Sequence, residues 1–329
     1  MSTDDAAPRA ARPFTARRPP VDLSDLTVLL VFLAIAAYLS LSTASFLSTA
    51  NLVAILVATS LIAIVACGQT FVIITGGIDL SSGSVVALSG IVAAMALQHH
   101  APVPVAVATG VLVGAGCGLF NGAAVTLLGM NPFIVTLASM AMARGLAFIL
   151  PGGATLFGFD DGFDAIGGGL VGFYPIAGMI SLVALGVGAF VLGRTVFGSE
   201  VYAVGGNREA AVMTGIPVRR TLLAVYVISG ALAGLGGIVL AGRLDSAQPI
   251  AATGLELNAI AAVVIGGASL FGGRGSMLGT ILGVLLIGVI NNGLTLHNVE
   301  PFWVQFIQGA VIFLAVLLDS LNNKRKGAS

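Results

Sequence analysis

The densest polar chemistry in this chain lies at Thr75-Gly76-Gly77-Ile78-Asp79-Leu80-Ser81-Ser82-Gly83-Ser84, between two apolar runs. A carboxyl and three hydroxyls within six residues can expose polar groups to a path through the membrane, cap a helix, or do both. Paired glycines weaken or end a helix inside apolar sequence. An acid at the centre of a membrane helix costs about 2.5–3.5 kcal/mol on insertion scales, so Asp79 must line water, pair or cap. Two readings stand open. Asp79 with Ser81, Ser82 and Ser84 starts the next helix as a turn and N-cap. Alternatively, a broken helix presents Gly76, Gly77, Asp79, Ser81 and Ser84 to a path through the membrane. The two are compatible if the turn lies at a gate.

A second group of residues, about 198–218, includes Gly205-Gly206-Asn207-Arg208-Glu209-Ala210-Ala211-Val212-Met213-Thr214-Gly215-Ile216-Pro217. Asn207 is a good N-cap, Glu209 suits the positive first turn, and Gly215 with Pro217 ends the helix. A helix of about two turns outside the membrane is expected, roughly 10 Å long at 1.5 Å per residue. Its small residues Ala210 and Ala211 give it a face that fits a cleft on another protein.

Other polar residues in or near apolar runs are Asn121, Asn131, Arg144, Glu256, Asn258, Arg274, Asn291 and Asn292. Each serves as interhelical glue or as a contact to solute. Asn121 and Asn292 join the candidate path residues, because an echo links the two halves. Gly76-Gly77-Ile78-Asp79-Leu80-Ser81-Ser82-Gly83 resembles Gly266-Gly267-Ala268-Ser269-Leu270-Phe271-Gly272-Gly273, and Asn121-Gly122 with Pro132-Phe133 resembles Asn292-Gly293 with Pro301-Phe302. Membrane carriers built from repeats often place the path where the repeats meet. No His/Cys/Asp/Glu spacing fits a metal site, and no nucleophile–base pattern fits an enzyme. Lysine occurs only at Lys324 and Lys326, which excludes a GxxxxGK(S/T) phosphate loop upstream; ATP, if used, is hydrolysed by another chain. Cys67 and Cys117 lie in apolar runs and read as small packing residues.

The elements that must hold these residues follow from composition. Of 329 residues, 57% are hydrophobic and 9% charged, whereas a soluble domain carries about 25% charge. The excess apolar surface must face lipid, and 45 glycines fit closely packed membrane helices. At roughly 20 apolar residues per crossing, ten spans are expected: 26–43, 51–74, 84–98, 103–128, 131–150, 173–193, 219–241, 257–272, 276–296 and 302–320. The expected fold is therefore all-α and polytopic. Residues 1–25 read as a disordered cytosolic tail and 323–329 as a basic cytosolic tail, flanking a membrane domain over 26–322. With both termini in the cytosol, Arg9, Arg12, Arg17, Arg18, Arg194, Arg208, Arg219, Arg220, Arg274, Lys324, Arg325 and Lys326 fall inside, and only Arg243 falls outside. Asp160, Asp161 and Asp164 fall in the longest outer loop. The net charge of zero gives no global field for nucleic acid.

Five stretches together carry a resemblance. GQTFVIITGGIDLSSGSVVALSG from Gly68, GMNPFIVTLASMAMARGLAFIL from Gly129, AVGGNREAAVMTGI from Ala203, the run from Arg243 to Thr280, and NNGLTLHNVEPFWVQFIQG from Asn291 are similar to the ribose/xylose-type ABC importer permeases. The similarity spans about residues 26–322. Ser82, Ser139 and Asn258 stand where that family usually has Val, Gly and Asp, and these departures bear on which sugar is carried. The resemblance implies a bacterial inner-membrane subunit that is not an enzyme and binds no cofactor itself. It pairs with a second permease chain, commonly as a homodimer, and works with a cytosolic ATPase and a periplasmic sugar-binding protein. It also implies that Asn207, Arg208, Glu209, Ala210, Ala211 and Gly215 form the contact with the ATPase, and that Gly76 to Ser84 lie near the path. A permease of this fold for a nucleoside, signalling sugar or branched-chain amino acid, and an ion-coupled carrier, are the alternatives.

Overall fold

A computed structural model describes residues 23–300 together with 302, 303, 306–310, 313 and 317. Residues 1–22 of the tail expected at 1–25, the tail expected at 323–329, and most of the span expected at 302–320 lie outside the described residues, while residues 23–25 already belong to the first helix.

Twelve helices are bounded among the described residues, and the described residues past 300 are helical as well. The twelve are α1 (Leu23–Ser42), α2 (Thr49–Ile74), α3 (Ser82–Gln98), α4 (Val103–Leu127), α5 (Pro132–Ile149), α6 (Asp161–Gly168), α7 (Ile176–Arg194), α8 (Val196–Gly206), α9 (Arg208–Met213), α10 (Val218–Leu244), α11 (Leu255–Ile265) and α12 (Met277–Leu296). Six are long and apolar enough to cross a membrane: α2, α4, α5, α7, α10 and α12. At 26 and 27 residues, α2 and α10 run about 40 Å, longer than a hydrocarbon core of about 30 Å, so they project or tilt. Helices α3 and α11 are shorter apolar helices, as is the Leu26–Ser42 stretch of α1.

Local chemistry explains the helix starts. Ser48 Oγ accepts from Asn51 N at the head of α2, and Asn131 Oδ1 accepts from Phe133 N beside Pro132 at the head of α5. Thr195 and Ser276 cap α8 and α12 in the same way. Eight expected spans coincide with helices to within a few residues, and a ninth needs correction. The span expected over 257–272 stops at Ile265, because Gly266 and Gly267 break it and Gly267 adopts φ +88°.

Helix α10 is the spine, packing along α4, α3, α2 and α6. Its contact with α4 is backbone on backbone. Gly110, Gly114 and Gly118 stack one turn apart on α4, facing Gly230 and Gly234 of α10, and Gly122 one turn on faces Leu223. A Cβ at Gly114 would overlap Gly230 O and approach Gly234 Cα to 2.7 Å; one at Gly230 would approach Gly118 Cα to 2.8 Å. Small residues earn their place where helix backbones touch without side chains between them. Outward-facing Leu41, Leu112, Leu182, Val183 and Phe190 are exposed, as lipid contact requires.

Two short antiparallel pairings complete the chain: β1 (Leu156–Phe157) with β4 (Ser246–Ala247), and β2 (Leu170–Val171) with β3 (Tyr174–Pro175). The first ties the α5–α7 connection to the α10–α11 connection at one end of the bundle.

Candidate functional site

The α2–α3 break is non-helical backbone buried inside the bundle, with Asp79 only 1% exposed. Such backbone persists at membrane depth only if protein groups satisfy it. Two helices do so, and two more hold the side chains of the break. Gln69 of α2 donates through Nε2 to Asp79 O and to Ser82 Oγ (3.1 Å). Thr136 of α5 donates to Ile78 O at 3.0 Å. Asn121 of α4 donates through Nδ2 to Ser81 Oγ at 2.9 Å. The Asp79 carboxylate accepts from Ser81 N (3.0 Å) and Ser81 Oγ (2.6 Å) on Oδ1, and from Ser229 Oγ of α10 (2.9 Å) on Oδ2.

Asp79 therefore joins the turn before α3 to the α10 spine. Ser81, Ser84 and Asn121 are buried with it. Asn292 is occupied elsewhere, in a reciprocal amide pair with Asn51 that clamps α12 to α2 at 2.8 and 3.1 Å. Of the candidate path residues, the structure brings Asp79, Ser81 and Asn121 into one network and leaves Asn292 apart. Gly76 and Gly77 lie at the rim of the break, with Gly76 at φ +77°. Gln69, Thr136, Ser229 and the buried Tyr226 beside Gly77 were not singled out from sequence. Each is an isolated polar residue in an apolar run, and Ser229 meets Asp79 across 150 residues, a pairing no local pattern signals.

The two echoed segments meet. Gly273 N donates to Ile74 O at 2.8 Å, and a Cβ at Gly272 would lie 3.0 Å from Gly76 N. Arg144, expected inside a span, sits on α5 and donates through Nη1 to Pro249 O (2.6 Å) and Ala251 O (2.8 Å), pinning the chain ahead of α11. Glu256 follows in the first turn of α11, against Gly83 at the start of α3.

The second candidate region is helix α9, six residues where about two turns were expected. Asn207 Oδ1 accepts from Ala210 N at 3.0 Å, the expected cap, and Gly215 adopts φ +82°. Ala211 faces inward, packed with Val204, Val218 and Leu222. The exposed surface is Asn207, Arg208, Glu209 and Ala210, with Val212 and Met213 beyond them, Met213 at 88% exposure. Thr221 Oγ1 donates to Glu200 Oε2 at 2.9 Å, fastening α8 to α10. In the α5–α7 connection, burial first and then the neighbouring Asp245 and Asp161 carboxylates push the Asp164 carboxyl up. Among the described residues, no group of three His, Cys, Asp or Glu side chains is placed to hold a metal ion.

Comparison with known proteins places this architecture. A family model described as branched-chain amino acid transport system / permease component matches residues 51–316. The chain is 41% identical over 277 residues to the ribose import permease protein of Bacillus subtilis, covering 84% of this chain and 86% of that protein. It is 40% identical over 304 residues to the L-arabinose ABC transporter permease protein of Azospirillum brasilense, covering 92% and 89%. It is 38% identical over 196 residues to the D-allose transport system permease protein of Escherichia coli, covering 60% of each. No solved structure matches the chain. Kinship with permeases, together with the apolar spans, makes this a multi-pass inner-membrane protein. On the breadth of that match, from the second span to beyond α12, the chain belongs to the family of membrane permease components of transport systems.

Proposed function

We propose that the chain is the membrane-spanning subunit of an ATP-driven importer of a monosaccharide, a ribose- or xylose-like pentose or a hexose. The observation that carries this reading is the pairing of relatives named for ribose, L-arabinose and D-allose with a short capped helix whose apolar tip, Val212 and Met213, is exposed. An apolar tip beside Arg208 and Glu209 fits a cleft on a water-soluble partner, with an anchoring side chain set among polar neighbours. That partner is a cytosolic ATPase. Ala211 anchors α9 to its own chain, while Asn207, Arg208, Glu209, Ala210 and Gly215 surround the contact. Both termini then lie in the cytosol, a periplasmic sugar-binding protein delivers the solute, and a second copy of the permease completes the path.

Transport follows by alternating access. ATP draws the ATPases together, α9 moves as a rigid body, and α7 and α10 shift with it. Hydrolysis reverses the movement. The break at Gly76–Ser84 borders the path; Asp79, Ser81 and Asn121 hold its shape from within, and Gly76 and Gly77 form its rim.

Proteoliposomes holding the permease, its ATPase and the binding protein, given a panel of labelled pentoses and hexoses with leucine for comparison, test the substrate class. Accumulation of one sugar with ATP is expected. Accumulation of leucine alone would move the reading to amino acids, and concentrative uptake by the permease without companions would remove the ATPase from it. For the contact, Met213→Asp and Glu209→Lys are each expected to lower ATPase capture and uptake about tenfold, as loss of a central contact residue does, with the permease still folded. Normal capture and uptake in both variants would remove α9 from the contact.

A further inference from the structure

A junction of three glycine-containing segments sits immediately before α9. The last turn of α8 ends in Gly205-Gly206. A Cβ on Gly205 would overlap Ile74 O at the end of α2 and lie 2.7 Å from Gly273 N. A Cβ on Gly272 would lie 2.7 Å from Gly205 O and 3.0 Å from Gly76 N, and one on Gly273 would lie 2.8 Å from Gly206 Cα. Gly273 N donates to Ile74 O at 2.8 Å, and Tyr202 Oη donates to Gly275 O at 2.8 Å. The base of α9, the α2–α3 break and the α11–α12 break thus meet backbone to backbone.

We propose that Gly205, with Gly272, Gly273 and Tyr202, positions the two breaks by transmitting the displacement of α9 to them directly, alongside the covalent route through α7 and α10. The physical reason is stiffness. A close-packed contact is nearly incompressible, and at Gly205, Gly272 and Gly273 main chain meets main chain, with no rotamer there to absorb the movement. The route through Val204, Ala211, Val218 and Leu222, by contrast, runs through side chains. The junction also touches both echoed breaks at once, so one displacement reaches both sides of the path. This inference rests on α9 being the ATPase contact.

Neighbouring substitutions make the test. Gly205→Ala places a methyl against Ile74 O, whereas a Cβ on Gly206 meets nothing within 4 Å. In the reconstituted complex, Gly205→Ala is expected to keep ATPase capture and ATP hydrolysis but lose about tenfold in sugar moved per ATP, within the range of ordinary coupling energies. Gly206→Ala is expected to match wild type. Tyr202→Phe, which removes only the hydroxyl, is expected to lower sugar moved per ATP in the same direction and decides the matter if Gly205→Ala does not fold. Wild-type stoichiometry in folded Gly205→Ala, or in Tyr202→Phe where Gly205→Ala does not fold, would overturn the junction's role, as would an equal loss in Gly206→Ala. Loss of ATPase capture by Gly205→Ala would make the junction part of the docking surface, which also overturns it. Normal capture and uptake by Met213→Asp and Glu209→Lys would instead overturn the underlying assignment of α9.

Discussion

Gly114→Val is expected to prevent accumulation of folded protein in the membrane, whereas Gly116→Val, two residues along the same helix, is expected to leave it intact. The contrast isolates the contact from helix propensity, since both changes put the same β-branched residue into α4. A Cβ at Gly114 collides with the backbone of α10 at Gly230 and Gly234; one at Gly116 meets nothing within 4 Å. Overpacking a core typically costs about 1–3 kcal/mol when side chains can give way. Here the obstruction is main chain, so relief requires moving α10, which also packs on α2, α3 and α6. The expected cost lies at or above the top of that range. Membrane content after expression and thermal aggregation in detergent both read it. Equal accumulation of the two variants would show that α4 and α10 do not touch as described.

Asp79→Ala is expected to be the most damaging single change in the α2–α3 break. It removes the acceptor of Ser81 N, Ser81 Oγ and Ser229 Oγ together. A buried donor left without a partner costs about 1–3 kcal/mol, so losing this hub is expected to cost on the order of 3 kcal/mol or more. Ser229→Ala leaves the buried Asp79 Oδ2 without this donor and is expected to cost about 1–3 kcal/mol. Because Ser229 and Asp79 are buried among their partners, Ser229→Ala is expected to lower the melting temperature while leaving the sugar concentration for half-maximal uptake unchanged. A raised half-maximal concentration at unchanged melting temperature would instead place this cluster against the sugar.

Apolar length located the spans, because a bilayer demands about 20 apolar residues per crossing whatever the neighbours are. The exception was α11, where apolar residues continue past Gly266-Gly267 although the helix does not. The cap at Asn207 and the stop at Gly215 were legible, being local hydrogen-bond and backbone chemistry. The inward turn of Ala211 was not, since it depends on Val218 and Leu222 from the next helix. Asp79 could be identified as an anomaly, and capping and path-lining both fitted it. Only its distant partner Ser229 gives the carboxylate its second fastening, and lone serines in membrane helices are common enough to carry no mark. The abundance of glycine pointed to close packing, but the register of Gly114 on Gly230 required the two helices in place.

The shared upkeep of the α2–α3 break has a consequence for biogenesis. During synthesis Asp79 leaves the ribosome 150 residues ahead of Ser229, and Asn121 and Thr136 also follow it. Until α10 is made, the nascent chain holds a carboxylate whose insertion is unfavourable by about 2.5–3.5 kcal/mol. The translocon must then either retain α3 at its lateral gate or release it shallowly, and the final seating of α3 waits for the arrival of the spine.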